Sequence, residues 1–138
     1  MPQFARILLA DDDMEDRLII EDAFREIGLE KEIAFVEDGE LVIQYLDKLA
    51  GETELPSLIV LDLNMPRLSG TETLRMLKNH NHYRHIPVKI FSTSMNDIEK
   101  AHCLQLGAES YVIKPIKFEQ CIEIARAFYD FSCVKVTV

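Results

Sequence analysis

The sequence predicts an α/β protein: a doubly wound, five-stranded parallel sheet with helices on both faces. Two observations carry this. Short β-rich runs at 6–10, 33–36, 58–61, 88–92 and 111–113 alternate along the chain with amphipathic stretches. Most of those runs are almost continuously apolar, as strands covered on both faces must be, rather than alternating apolar with polar. Five β-α units without an intervening linker, repeat or low-complexity segment build an open parallel sheet through right-handed crossovers.

Taken in order, "RILLA" (6–10) is the first strand. The helix after it covers about 14–27, with Leu18, Ile19, Ala23, Phe24 and Ile27 at helical spacing and Gly28 as a stop. "IAFV" (33–36) leads into a helix over 39–49, and "LIVL" (58–61) into one that opens on "SGTE", a capping box from Ser69 to Glu72. "VKIFS" (88–92) precedes a helix from about Asn96 to Leu106 that ends at Gly107, with one of Ser92 to Ser94 expected to cap its start. "YVI" (111–113) precedes the fifth helix, whose Phe118, Cys121, Ile122, Ala125, Phe128 and Tyr129 form a stripe expected to face the sheet. This places one domain over 1–130. The remainder, "FSCVKVTV" (131–138), alternates at Val134, Val136 and Val138 and reads as a strand-like extension. The plain alternative is a frayed tail; the sharper one is that it pairs with a sheet edge or with another chain, a homodimer included, since an exposed strand edge is a pairing template.

Composition sets the outer limits. A chain of 138 residues with 48% hydrophobic and 28% charged residues suits one domain with one sizeable core. A net charge of −9 speaks against a surface that tracks nucleic acid, which rests on clustered Lys and Arg. No apolar run nears the roughly 20 residues needed to span a bilayer, and the start lacks a signal-peptide pattern. Cys103, Cys121 and Cys133 are odd in number and lack metal-site spacing, so they read as reduced thiols in a cytoplasmic protein.

In doubly wound sheets, ligands bind at the carboxyl ends of the strands, where strand order reverses. The first strand closes on "DDD" (Asp11 to Asp13), the third on Asp62, the fourth on "STS" (Ser92 to Ser94), and the fifth is followed by Lys114 and Pro115. Clustered carboxylates cannot all stay ionised without positive charge among them. Hard oxygen ligands of this kind suit Mg²⁺, which takes one or two carboxylates, waters and a substrate phosphate. A carboxylate can also act as nucleophile toward a phosphoryl group. In that reading Asp62 is the nucleophile, Lys114 pairs with one phosphoryl oxygen, and Ser92 hydrogen-bonds another. Each residue alone has an ordinary alternative: a solvated or capping acidic run, a turn aspartate, a cap serine, a Lys-Pro turn. Their joint order along the strand ends favours the site.

With "ILLADDD", "LIVLDLNMPRLSG", "IPVKIFSTS" and "YVIKP" on the page, the chain resembles the response regulator receiver domains of two-component signalling, over about residues 4–130. The resemblance implies a flavodoxin-like fold with strand order 2-1-3-4-5. It implies Asp12 as a direct Mg²⁺ ligand, Asp11 acting largely through water, Asp62 as phosphoacceptor, and Asn64 completing the metal shell through its backbone carbonyl. It further implies Ser92 and Tyr111 as the switch pair, Lys114 as the motif lysine, and a cis bond before Pro115. Its partners would be a sensor histidine kinase or histidine phosphotransfer protein and a downstream protein, since no effector domain follows the fifth helix. The protein would not be an enzyme in the turnover sense. It would be a stand-alone receiver similar to those associated with phytochromes.

Three features depart from the family pattern: Thr93 where a small residue is usual, the long "LDKLAGETELPS" segment (46–57), and the 131–138 extension. Other classes fit less well. An aspartate-nucleophile phosphatase would need a second aspartate at the position of Asn64. An FMN binder would need a phosphate-cradling loop where "DDDMED" repels phosphate. A degenerate receiver that binds partners unphosphorylated is disfavoured by the intact acids and Lys114.

Overall fold

Strand β1 (Ile7–Ala10) is an interior strand of the sheet: all four of its side chains are buried, which only a strand covered on both faces allows. The structure, a computed structural model, describes residues 5–49 and 55–134. The remaining strands and α-helices are α1 (Met14–Glu26), β2 (Ile33–Val36), α2 (Gly39–Leu49), β3 (Leu58–Leu61), α3 (Gly70–Asn79), β4 (Val88–Ser92), α4 (Asp97–Gln105), β5 (Ser110–Ile113) and α5 (Phe118–Cys133), with a 3-10 turn at Glu30–Glu32 before β2. All strand pairs are parallel and the order is β2-β1-β3-β4-β5, as the resemblance implies. The first reversal of strand order falls between β1 and β3, where Ala10 pairs with Leu61.

The two-residue pleat sorts the strands into two cores. Leu8, Ala10, Ile59, Leu61, Val88 and Ile90 face Val42 and Leu46 of α2, Leu74 and Leu77 of α3, and Cys103 of α4. Ile7, Leu9, Leu58, Val60 and Phe91 face Ile20, Ala23 and Phe24 of α1 and Cys121, Ala125 and Phe128 of α5. Each fully buried large aliphatic or aromatic side chain contributes about 1.5–3 kcal/mol relative to exposure. Of the expected α1 stripe, Leu18 and Ile19 are exposed, and Ile20 is the residue that enters the core. Phe118 likewise faces solvent at the start of α5, so the buried stripe begins at Cys121.

The helix ends follow their local chemistry. Asp13 caps α1, accepting from the Asp16 N–H, so the third acid of "DDD" is a cap and only the first two are free for other work. Ser69 and Glu72 form the expected capping box. Gly28 and Gly107, at φ +74° and +110°, end α1 and α4 in the left-handed region. The cap of α4 is Asn96, not one of Ser92 to Ser94. Its carboxamide oxygen accepts from both Ile98 and Glu99, while Ser92 and Ser94 bond within the preceding loop.

Helix α5 continues to Cys133, so the strand-like reading fails for residues 131–133. Ser132 is buried and donates to the Tyr129 carbonyl, and the Lys89 ammonium lies 4.1 Å over the Phe131 ring. Val134 is the exposed end of that helix, and Val136 and Val138 lie outside the described residues. The central part of the long 46–57 segment, residues 50–54, also lies outside them.

Candidate functional site

The sheet ladder runs one residue past β1 and β3 and thereby fixes two carboxylates. The Asp11 N–H donates to the Val36 carbonyl (3.1 Å), and the Asp62 N–H donates to the Ala10 carbonyl (3.0 Å). Asp11 is 2% exposed and Asp62 9%, while Asp12, next along the chain, is exposed. One carboxylate oxygen from each of Asp11, Asp12 and Asp62 falls within 4.8 Å of the others, close enough for one ion to be shared after small side-chain rotations. Two buried acids with an exposed third beside them suit a hard cation entering from solvent: oxygen donors only, net negative, with no thiol or imidazole in the group.

Lys114 reaches the same place from the end of β5. Its Nζ is 2.6 Å from Asp11 Oδ2, 2.8 Å from Asp16 Oδ2 and 3.8 Å from Asp62 Oδ1. Its own N–H donates to the Ser92 carbonyl (2.8 Å), which ties the ends of β4 and β5 together. Among the described residues no peptide bond is cis, so the cis bond expected before Pro115 is replaced by a trans one. Trans is favoured by about 0.5–1 kcal/mol at X–Pro, and the two short ion pairs aim Lys114 without the cis isomer.

The electrostatics follow from burial. Asp62 is pushed up to about 6, first by desolvation and then by the neighbouring Asp11 and Asp12, against the pull of Lys114 and of the Leu63 N–H that Asp62 Oδ1 accepts. Burial also raises Asp11, only partly offset by Lys114 and the Asp13 N–H. Burial alone would lower Lys114, but its bonds to Asp11 and Asp16 outweigh that and hold it above its usual value. One ammonium therefore serves three carboxylates, Asp11, Asp16 and Asp62.

A pH dependence follows. Unfolded, Asp62 ionises near 3.8, and folded near 6, so folding favours its protonated form. Its contribution to stability is present below the lower value and is lost as pH rises through the upper one, about 3 kcal/mol in all. Without divalent cation, Asp62→Asn is expected to match the wild type near the lower value and to exceed its unfolding free energy by about 2–3 kcal/mol at neutral pH. Urea titrations of both proteins across this range check it. A constant difference between them would contradict the burial cost.

The other expected residues arrange as follows. Ser92 is 1% exposed at the end of β4, one strand over from Asp62, and its Oγ accepts from the Ser94 N–H. Asn64 sits exposed in the loop after Asp62. The Tyr111 hydroxyl lies 3.0 Å from the Ser94 carbonyl and 3.1 Å from Glu99 Oε1, so one proton bridges the β4–α4 loop to α4. Asp16 was not foreseen. The only local hint was a carboxylate in the first turn of α1, where acids are common for dipole reasons alone.

Comparison with known proteins follows the same lines. The family model for the response regulator receiver domain matches residues 7–126. The probable methanogenesis regulatory protein FilR2 of Methanothrix harundinacea is 33% identical over 114 residues, covering 82% of this chain and 74% of that protein. Response regulator Rcp1 of Synechocystis sp. is 27% identical over 135 residues, covering 96% of this chain and 91% of that protein. Rcp1 has been solved in a Mn²⁺-bound form (TM-score 0.78, 25% identity, 96% of each chain). The phosphorylated cyanobacterial phytochrome response regulator RcpA superposes with TM-score 0.81 at 29% identity over 95% of each chain. With strand order, acidic group and lysine in place, and the family model spanning most of its length, the chain belongs to the response regulator receiver domain family.

Proposed function

We propose that this receiver domain takes a phosphoryl group on Asp62 from a phosphohistidine, on a sensor histidine kinase or a histidine phosphotransfer protein, in a Mg²⁺-dependent reaction. It then signals through a phosphorylation-dependent contact with a downstream protein. The observation that carries this is the Asp62 carboxylate itself, 9% exposed at a strand end, sharing a cation-sized space with Asp11 and Asp12 and lying 3.8 Å from Lys114. Two similar structures support it: RcpA was solved phosphorylated and Rcp1 with Mn²⁺.

Asp62 Oδ attacks the phosphorus of the phosphohistidine. The P–N bond breaks, its electron pair stays on the imidazole nitrogen, and an acyl phosphate remains on Asp62. Asp11, Asp12 and Asp62 would hold Mg²⁺ with the Asn64 carbonyl, and the ion would neutralise charge on the acids and the transferring group. Lys114 pairs with a second phosphoryl oxygen, and Ser92 donates its hydroxyl proton to a third. To do so, Ser92 rotates away from the Ser94 N–H. That loosens the loop whose Ser94 carbonyl accepts from Tyr111, so Tyr111 and α4 move together. The reaction is a single transfer rather than enzymatic turnover; Asn64, two residues after Asp62, carries no carboxyl to act as a phosphatase's general acid. Three free cysteines, two of them buried, favour a reducing cytoplasmic setting.

Incubation with Mg²⁺ and acetyl phosphate tests the reading by intact mass. The wild type is expected to gain one phosphoryl mass, and Asp62→Asn or chelator-treated protein none. A gain that survives in Asp62→Asn would remove Asp62 as acceptor.

A further inference from the structure

The Lys114 ammonium has three acids in reach, and they differ in kind. Asp11 and Asp62 belong to the group that can share a cation, while Asp16 does not. Asp16 stands on α1, its side chain 36% exposed, against 10% for Lys114 and 3% for Asp11. An ammonium so enclosed must keep a counter-charge, because an unpaired buried ion costs several kcal/mol. Whatever cation draws on Asp11 competes with the 2.6 Å bond that Lys114 makes there. Asp16, at 2.8 Å and outside the cation group, is the partner that stays.

We propose that Asp16 is a positioning residue that retains Lys114 as its counter-ion when a cation engages Asp11, and that a phosphoryl oxygen must win Lys114 from it. The second half rests on the phosphoacceptor reading above; the first does not. Asp16 thus acts in opposite directions on the two ligands. It favours the cation by relieving Asp11 of Lys114 and by adding negative charge nearby. It opposes the phosphoryl group by holding the ammonium back and by repelling an anion.

Calorimetry on wild type, Asp16→Asn and Asp16→Glu, with Mg²⁺ alone and then with beryllofluoride at saturating Mg²⁺, tests this. Asp16→Asn is expected to weaken Mg²⁺ binding about threefold and to tighten beryllofluoride binding by a similar factor, as suits a pair whose acid is about a third exposed. Asp16→Glu should return both toward wild type. A merely structural role would weaken both ligands together, and that result, or no change in either, overturns the proposal. If the wild type binds Mg²⁺ but no beryllofluoride, the phosphoacceptor reading and the competition fall together, and the Mg²⁺ arm alone decides the counter-ion role.

Discussion

Lys114→Ala is expected to make the metal-free protein about 2–4 kcal/mol less stable at neutral pH and to make it bind Mg²⁺ at least about tenfold more tightly. The two effects have one cause. Lys114 is the cation paired with Asp11 and Asp16 and the one nearest Asp62, with its side chain 10% exposed. Without it, two buried carboxylates and their neighbours repel one another with no compensation, which is where breaking a buried ion pair becomes expensive. Asp11 and Asp62, already raised by burial, would rise further, so the loss should shrink as pH falls and both take up protons. A divalent cation then has no ammonium to displace, so it binds tighter and restores most of the stability by linkage. Phosphorylation is the exception. The variant should still take up metal, yet its Tyr111 and α4 surface should no longer respond, because the ammonium proposed to draw a phosphoryl oxygen toward β5 is missing. Thermal unfolding with and without Mg²⁺ separates these claims. An unchanged melting point in the metal-free variant would show that the acids do not depend on Lys114.

Local chemistry explains why so much of this arrangement is legible in the sequence. Strands buried on both faces have little freedom in sequence, so "ILLA", "LIVL" and their neighbours fell at their strand positions to within a residue. Asp11, Asp62, Ser92 and Lys114 were found because parallel topology alone forces strand ends onto one rim. What escaped was long-range pairing of residues that are ordinary where they stand. Asp16 in a helix's first turn is unremarkable until the fold brings Lys114, 98 residues later, against it. The fifth helix was cut short for a different reason: the alternation at Val134, Val136 and Val138 competed with a helical stripe continuing through Cys121, Ala125, Phe128 and Ser132. The longer stripe wins because every residue in it buries against the sheet or closes a bond within the helix. At α4, two serines and a threonine outweigh one asparagine by number. In the structure only Asn96 sits where a short side chain reaches two helix amides.

Gly70→Ala is expected to cost about 3 kcal/mol and, unlike Lys114→Ala, to be unrecovered by metal. Gly70 is the first residue of α3, and its N–H donates to the Leu63 carbonyl at 3.0 Å, so the helix start is pressed against the end of β3. A Cβ there would fall inside contact distance of the Asp62 carbonyl oxygen and within 2.8 Å of Leu63 Cα. These are backbone atoms of the strand end that carries Asp62 and cannot swing aside as a flexible side chain would. Either α3 lifts from the sheet, opening space beside Leu74 and Leu77, or the Asp62–Leu63 backbone shifts and the Leu63 N–H loses its bond to Asp62 Oδ1. The second route displaces Asp62 from Asp11 and Asp12, and with it Mg²⁺ affinity should fall where Lys114→Ala raises it. Gly28→Ala is the matched comparison. Its added Cβ meets nothing within 4 Å, and only the positive φ of +74° opposes it, a cost of about 1 kcal/mol. Urea unfolding of the two variants, with Mg²⁺ calorimetry on each, decides the matter. A Gly70→Ala protein within about 0.5 kcal/mol of wild type would mean that α3 is not seated on β3 as described.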